Sequence, residues 1–162
     1  MSLKVAFAST ALSFLALATG QGALIAEYTF DYNSGIDTAG GFDLNFIGSN
    51  PSFPGGTYQS DGVSANYLGV TGPGGVPDFT VSLWVNSPVV NQGNFKGIFS
   101  NLDNTGAFSW QVDSHSGQYR LVANTAGISE NLGTPTAGAW ENIVIQKYGG
   151  GSYRAYLWHP NC

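Results

Sequence analysis

The sequence has one cysteine and few charged residues, and both shortages exclude classes of protein. The only cysteine, Cys162, is the last of 162 residues, so no disulfide can form within the chain. Charged residues make up 9% of the chain, well below the usual proportion of about a quarter. The 5 basic residues are scattered singly and the formal net charge is −5, so we expect no nucleic-acid partner.

Apolar residues and glycine are plentiful instead. Hydrophobic residues account for 43% of the chain, and there are 23 glycines. This hydrophobic fraction is enough to build a folded core. Helical surfaces usually need Glu, Lys and Arg, whereas short strands joined by Gly and Asn turns need few charges. The length suits one domain, and the composition predicts an all-β fold.

Residues 1–22 have the features of a secretory signal peptide. Lys4 supplies a positive charge, and the apolar run from Val5 to Ala18 is too short to cross a bilayer easily. Because no Asn-x-Ser/Thr sequon is present, a bacterial source is favoured. We therefore expect residues 23–162 to form an exported domain with no membrane span, either secreted or held in the cell envelope.

Alternating hydrophobicity predicts several strands. In the segment DFTVSLWVNS, apolar residues occupy every second position from Phe79 to Val85, which predicts one buried face. Residues 107–124 have the pattern of a hairpin with its turn at 113–117, and residues 139–158 have that of a second hairpin with a Gly-Gly-Gly turn. Residues 23–31 are suited to a first strand. Short strands at this density predict a sandwich or jelly roll.

Trp84 is the one large apolar residue on the other face of its predicted strand. In a two-layer sandwich, that face points away from the core. Trp84 is then either an aromatic platform for a sugar ring or a structural residue covered by a loop, with its indole N–H bonded to backbone. The sequence leaves both interpretations open.

The ordered segments resemble the strand series of the laminin-G-like, concanavalin A-like jelly roll, which includes lectins and glucanases. The similar segments are DFTVSLWVNS, GIFSN, FSWQVDSHSGQYRLVANT and AWENIVIQKYGGGSYRAYLW, with YTFD as a first strand. The resemblance covers about residues 23–158 and implies an antiparallel two-sheet β-sandwich. Because the family usually continues with further strands, we expect residues 23–162 to be incomplete at the C-terminus. An open sheet edge, or Cys162, could then pair with another chain.

The same resemblance raises the question of calcium, which such domains often bind through acidic side chains and loop carbonyls. Asp31, Asn33 and Asp37 lie in one predicted loop and are the calcium candidates, while Asp103 and Asn104 lie in another. The alternative is that these residues form Asx turns in Gly-rich loops. No other cofactor is expected.

Catalytic signatures are absent from the sequence. Glycosidases of this architecture use Glu-x-Asp-x-Glu on one strand face, but none of Glu27, Glu130 and Glu141 has an acidic residue two positions away. His115 lies in the predicted turn too close to Asp113 to build a catalytic triad. We predict no enzyme activity.

The sequence therefore predicts a secreted, non-catalytic binding module for carbohydrate or another cell-surface ligand. Its partner would be a glycan or an extracellular protein. The alternative is a structural or adhesive envelope protein built on a β-sandwich. A third hypothesis is a glycoside hydrolase whose acid pair is spread over distant strands, with Glu141 as a candidate.

Overall fold

The computed structural model describes residues 23–49, 52–63, 66–72, 78–102 and 108–160. The signal peptide predicted at 1–22, the second acidic loop and Cys162 lie outside these residues. The described residues are nearly all β, with antiparallel sheets and only short helical segments. The all-β prediction is confirmed. The described residues include no helix with the length and hydrophobicity that a membrane span requires.

Nine strands and two short 3₁₀ segments make up the described structure. The 3₁₀ segments are Asp31–Asn33 and Asn124–Ala126. The strands are β1 (Asn45–Ile47), β2 (Tyr67–Gly69), β3 (Phe79–Asn86), β4 (Lys96–Leu102), β5 (Phe108–His115), β6 (Gln118–Ala123), β7 (Ile128–Gly133), β8 (Trp140–Tyr148) and β9 (Ser152–Trp158).

The strands form three antiparallel sheets. A three-stranded sheet has the order β3-β8-β9, and a four-stranded sheet has the order β4-β5-β6-β7. The short strands β1 and β2 pair separately. The two larger sheets pack through their inward side chains, as a sandwich requires.

The core lies between these two larger sheets and confirms the predicted stripe. The half-buried side chains from Phe79 to Val85 pack against buried residues of both sheets. Fully burying an aliphatic side chain such as Leu121 or Ile145 contributes roughly 1.5–3 kcal/mol. The buried hydrophobic residues are Trp110, Val112, Tyr119, Leu121, Ala123, Ile143, Ile145 and Tyr153.

Both predicted hairpins are present. Strand β5 runs to His115, and the turn is made by Ser116 and Gly117 with φ of 52° and 73°. Two successive positive φ angles match the right-handed twist of a hairpin. The predicted turn at 113–117 was therefore too long, because Asp113 and Ser114 belong to the strand and are buried. The second hairpin turns at the predicted glycines, 149–151, all with positive φ.

The predicted first strand at 23–31 was wrong. Residues 23–30 form no strand, and Phe30 has a left-handed φ of 57° that an extended strand excludes. At Glu27, hydrogen bonds to a carboxylate and to a nearby amide replace the hydrogen bonds of strand pairing. Its N–H donates to the Asp37 carboxylate at 2.8 Å, and its carbonyl accepts from Thr38 N at 2.9 Å.

Candidate functional site

Trp84 lies on the outward face of the three-stranded sheet and is not covered. Its side chain is 53% exposed. The indole meets that of Trp158, also 53% exposed, with ring centroids 5.6 Å apart and planes at 76°. The interpretation in which a loop covers Trp84 does not fit this exposure.

Strand register explains why two tryptophans from different strands meet. Trp84 pairs with Asn142 on β8, and Asn142 pairs with Trp158 on β9, so the three residues form one row across the sheet. Asn142 Nδ2 donates to the Leu83 carbonyl and to Ser82 Oγ, both at 3.1 Å. These bonds hold the Asn142 amide against β3.

Further aromatic residues extend this surface. Trp140 is 44% exposed and Tyr156 is 50% exposed. They occupy the rows on either side of the Trp84 row, and same-face positions along a strand are about 7 Å apart. We call the outward-facing residues of β3, β8 and β9 the aromatic face. Exposed apolar patches rimmed by polar groups are typical of interaction sites.

The three calcium candidates do not form a ligand set. Asp31 and Asn33 are exposed, whereas Asp37 is buried. The Asp37 carboxylate accepts the N–H groups of Glu27, Ala39 and Phe42 at 2.8, 2.9 and 3.1 Å. These donors, Glu27 N–H above all, lower the pKa of Asp37. The bond to Ala39, two residues on, is an Asx turn, which was the alternative interpretation.

No metal cluster was found in the part of the chain that the structure describes. There, no three His, Cys, Asp or Glu side chains are close enough to hold an ion. Two cavities lie in the N-terminal part. One of about 40 Å³ is next to Tyr58, and a shallow one of about 230 Å³ is lined by Thr29, Asp31, Ser34, Ile36 and Thr38. The aromatic face, by contrast, presents its rings on the exposed outer side of the three-stranded sheet.

Glu141 is buried inside the sandwich, where sequence reasoning did not place it. Its Oε1 accepts from Thr136 N at 2.9 Å and lies 2.7 Å from His159 Nδ1. Its Oε2 and the Tyr119 hydroxyl are both buried as well. Burial, together with the nearby Glu141 carboxylate, raises the pKa of Tyr119.

The burial of Glu141 could have been predicted from the sequence. Glu141 is in phase with Ile143 and Ile145, and therefore with the buried face of β8. The Glu141 side chain has no accessible surface, so a glycosidic bond does not reach its carboxylate in this arrangement.

The Asp113 carboxylate is also held by hydrogen bonds within the sandwich. It is fully buried, and Arg120 Nε and Nη2 donate to its two oxygens at 2.9 and 2.6 Å. Gln111 Nε2 adds a third bond at 2.9 Å. His115 instead stacks on Phe95 with ring centroids 4.8 Å apart. Asp113 and His115 thus have separate partners and do not form a catalytic pair.

Comparison with protein-family models, with curated proteins and with solved structures finds no match.

Proposed function

We propose that this chain is a non-catalytic binding module that holds extended glycans on its aromatic face. The observation that carries the proposal is the pair of exposed indoles, Trp84 and Trp158, which contact each other in the row that also holds Asn142. A sugar ring has apolar C–H faces and a polar rim. Aromatic side chains with polar groups beside them therefore suit it.

Simple energetics explain why several aromatic residues are needed. Covering the exposed half of one indole removes roughly 100 Å² from water, which is worth about 2.5 kcal/mol. Two indoles supply about 5 kcal/mol before the entropic cost of binding is subtracted. Each tryptophan alone would give negligible affinity. A ligand long enough to cover several rows is therefore favoured over a single sugar.

The expected export agrees with such a role. A domain carried out of the cell by residues 1–22 meets extracellular and cell-surface polysaccharides. The resemblance to laminin-G-like and concanavalin A-like domains, which include lectins, also favours glycan binding by a β-sandwich. Both points support the proposal independently of the aromatic face.

The test is binding to a panel of polysaccharides by Trp84→Ala and Trp158→Ala variants. We expect each substitution to weaken binding by about tenfold or more, because each removes apolar contact worth about 2 kcal/mol. Phe95→Ala is the matched control, since Phe95 is 67% exposed but lies before β4, outside the aromatic face. Circular dichroism checks that each variant is folded. Unchanged binding by both tryptophan variants would refute the proposal.

A second candidate function is assembly through sheet edges. In the described residues, β3 and β9 each pair with one neighbour only, so both edges of the three-stranded sheet are open. Open edges favour pairing with another strand. A structural or adhesive protein built this way should form oligomers at rising concentration in sedimentation experiments. Cys162→Ser separates edge pairing from an intermolecular disulfide, and a monomer at every concentration would contradict assembly.

A further inference from the structure

The aromatic face carries a single charged residue, and that residue is basic. The whole sequence has 10 acidic and 5 basic residues, yet none of the outward-facing residues of the three strands is acidic. The only charged one is Arg154. The outward-facing residues of β3, β8 and β9 are Thr80, Ser82, Trp84, Asn86, Trp140, Asn142, Val144, Gln146, Tyr148, Ser152, Arg154, Tyr156 and Trp158.

Arg154 is placed in line with the aromatic residues. Arg154, Tyr156 and Trp158 are exposed and occupy alternate positions of β9, so each is about 7 Å from the next. The guanidinium carbon of Arg154 lies 4.8 Å from the ring centroid of Tyr148. This cation–π contact holds the side chain on the face.

The two arginines of the sandwich differ in their partners. Arg120 is held by the buried Asp113 carboxylate through two hydrogen bonds. No carboxylate of the described residues lies within 4 Å of Arg154, whose neighbours are Tyr148 and Tyr156. A guanidinium matches the geometry of a carboxylate or a sulfate through paired N–H donors. Arg154 offers that match to a ligand.

We infer that the aromatic face selects anionic glycans, with a carboxylate or sulfate group of the chain on Arg154 and neighbouring rings on Tyr156 and Trp158. This inference rests on the proposed glycan binding and names its ligand class. A protein of net charge −5 repels a polyanion, and the repulsion is weakest at a surface that has no acidic residues and carries a basic one. The face that carries the aromatic residues is such a surface.

The experiment compares glycans that share one backbone and differ in charge. A uronate-containing chain is matched with its carboxyl-reduced form, and a sulfated chain with its desulfated form. We expect wild-type protein to bind at least one charged form about tenfold more tightly than its neutral partner, because hydrogen bonds to charged groups are strong. The two pairs show whether carboxylate or sulfate is the group bound.

Variants assign the effect to Arg154. Arg154→Gln should remove the preference for the charged form, and Arg154→Lys should keep part of it, since lysine retains the charge without the paired donors. Lys96→Gln removes the same charge from an exposed position on β4 and should change nothing. Added sodium chloride should weaken binding by wild type more than by Arg154→Gln.

The outcomes separate this inference from the proposed function. Equal binding of charged and neutral forms, with loss of binding on Trp84→Ala, refutes the anionic preference and leaves glycan binding in place. An equal loss in Lys96→Gln and Arg154→Gln also refutes it, because the effect would then be one of net charge. Binding that survives Trp84→Ala and Trp158→Ala refutes both.

Discussion

Different interactions stabilise the sandwich (residues 78–160) and the N-terminal part (residues 23–72). The buried hydrophobic side chains of the described chain all lie between positions 110 and 153. Among the described residues of the N-terminal part, the buried ones are Gly35 and Asp37. Its aromatic rings, such as Phe30 and Phe53 with centroids 6.0 Å apart, form a cluster that is only partly buried.

Carboxylates take the place of core residues in the N-terminal part. Besides the three N–H groups on Asp37, Asp43 Oδ1 accepts from Asp37 N at 2.9 Å. Asp61 accepts from Val63 N at 2.8 Å and from Asn66 Nδ2 at 2.6 Å. Apolar burial does not depend on protonation, whereas these bonds do. The two parts should therefore respond differently to core truncation and to acid.

The largest effect is expected from truncating the sandwich core. Ile145 is fully buried, and Ile145→Ala should lower the free energy of unfolding by roughly 2–5 kcal/mol, because it loses apolar burial and leaves a cavity. Urea unfolding followed by tryptophan fluorescence measures this. Val144→Ala, at the next position but on the outward face of β8, is the control and should cost clearly less. Equal losses would contradict the assignment of the two faces.

The next effect tests the buried Asp113 carboxylate of the sandwich. Asp113→Asn should destabilise the protein by roughly 2–4 kcal/mol, because it leaves the mostly buried Arg120 guanidinium without its charged partner. The double variant Asp113→Leu with Arg120→Met should recover most of that loss in the same unfolding experiment, since apolar pairs can replace a buried ion pair. A double variant no more stable than Asp113→Asn would show that the pair is not the cause.

The sequence predicted the sandwich better than the N-terminal part for a physical reason. A strand with one buried face alternates apolar and polar residues in the sequence. The predictions of a buried stripe from Phe79 to Val85 and of both hairpins were therefore correct. The strand predicted at residues 23–31 failed because its backbone groups bond to a carboxylate and one nearby amide, which hydrophobic alternation does not reveal. Contacts between side chains of different strands were not predicted either.

The candidate site was predicted only in part. Trp84 was placed on the outward face, which is correct, but its meeting with Trp158 depends on the register of three strands. Register places Asn142 between them, and no local pattern in either strand specifies that. Glu141 was named only as a candidate catalytic acid, and its burial was not predicted, because a charged residue in phase with a buried stripe is normally an exception. That exception is itself a usable signal.

The smallest and most local effect should come from Asp37. Its folded-state pKa lies below the usual 3.8, so the ionised carboxylate stabilises the N-terminal loops above about pH 4, and this contribution is lost as the pH falls through the folded-state value. Asp37→Asn should remove the same contribution at neutral pH. Amide hydrogen exchange of Glu27, Ala39 and Phe42, corrected for intrinsic rates, measures the loss in both cases.

Tryptophan fluorescence supplies the contrast in that experiment. All 4 tryptophans lie in the sandwich, so their emission should not change while the three amides lose protection. Asp31→Asn, at an exposed acidic residue of the same part, is the matched control and should leave exchange unaltered. Amides that stay protected in Asp37→Asn would contradict this comparison of the two parts. A change of tryptophan emission at the same pH as the change in exchange would also contradict it.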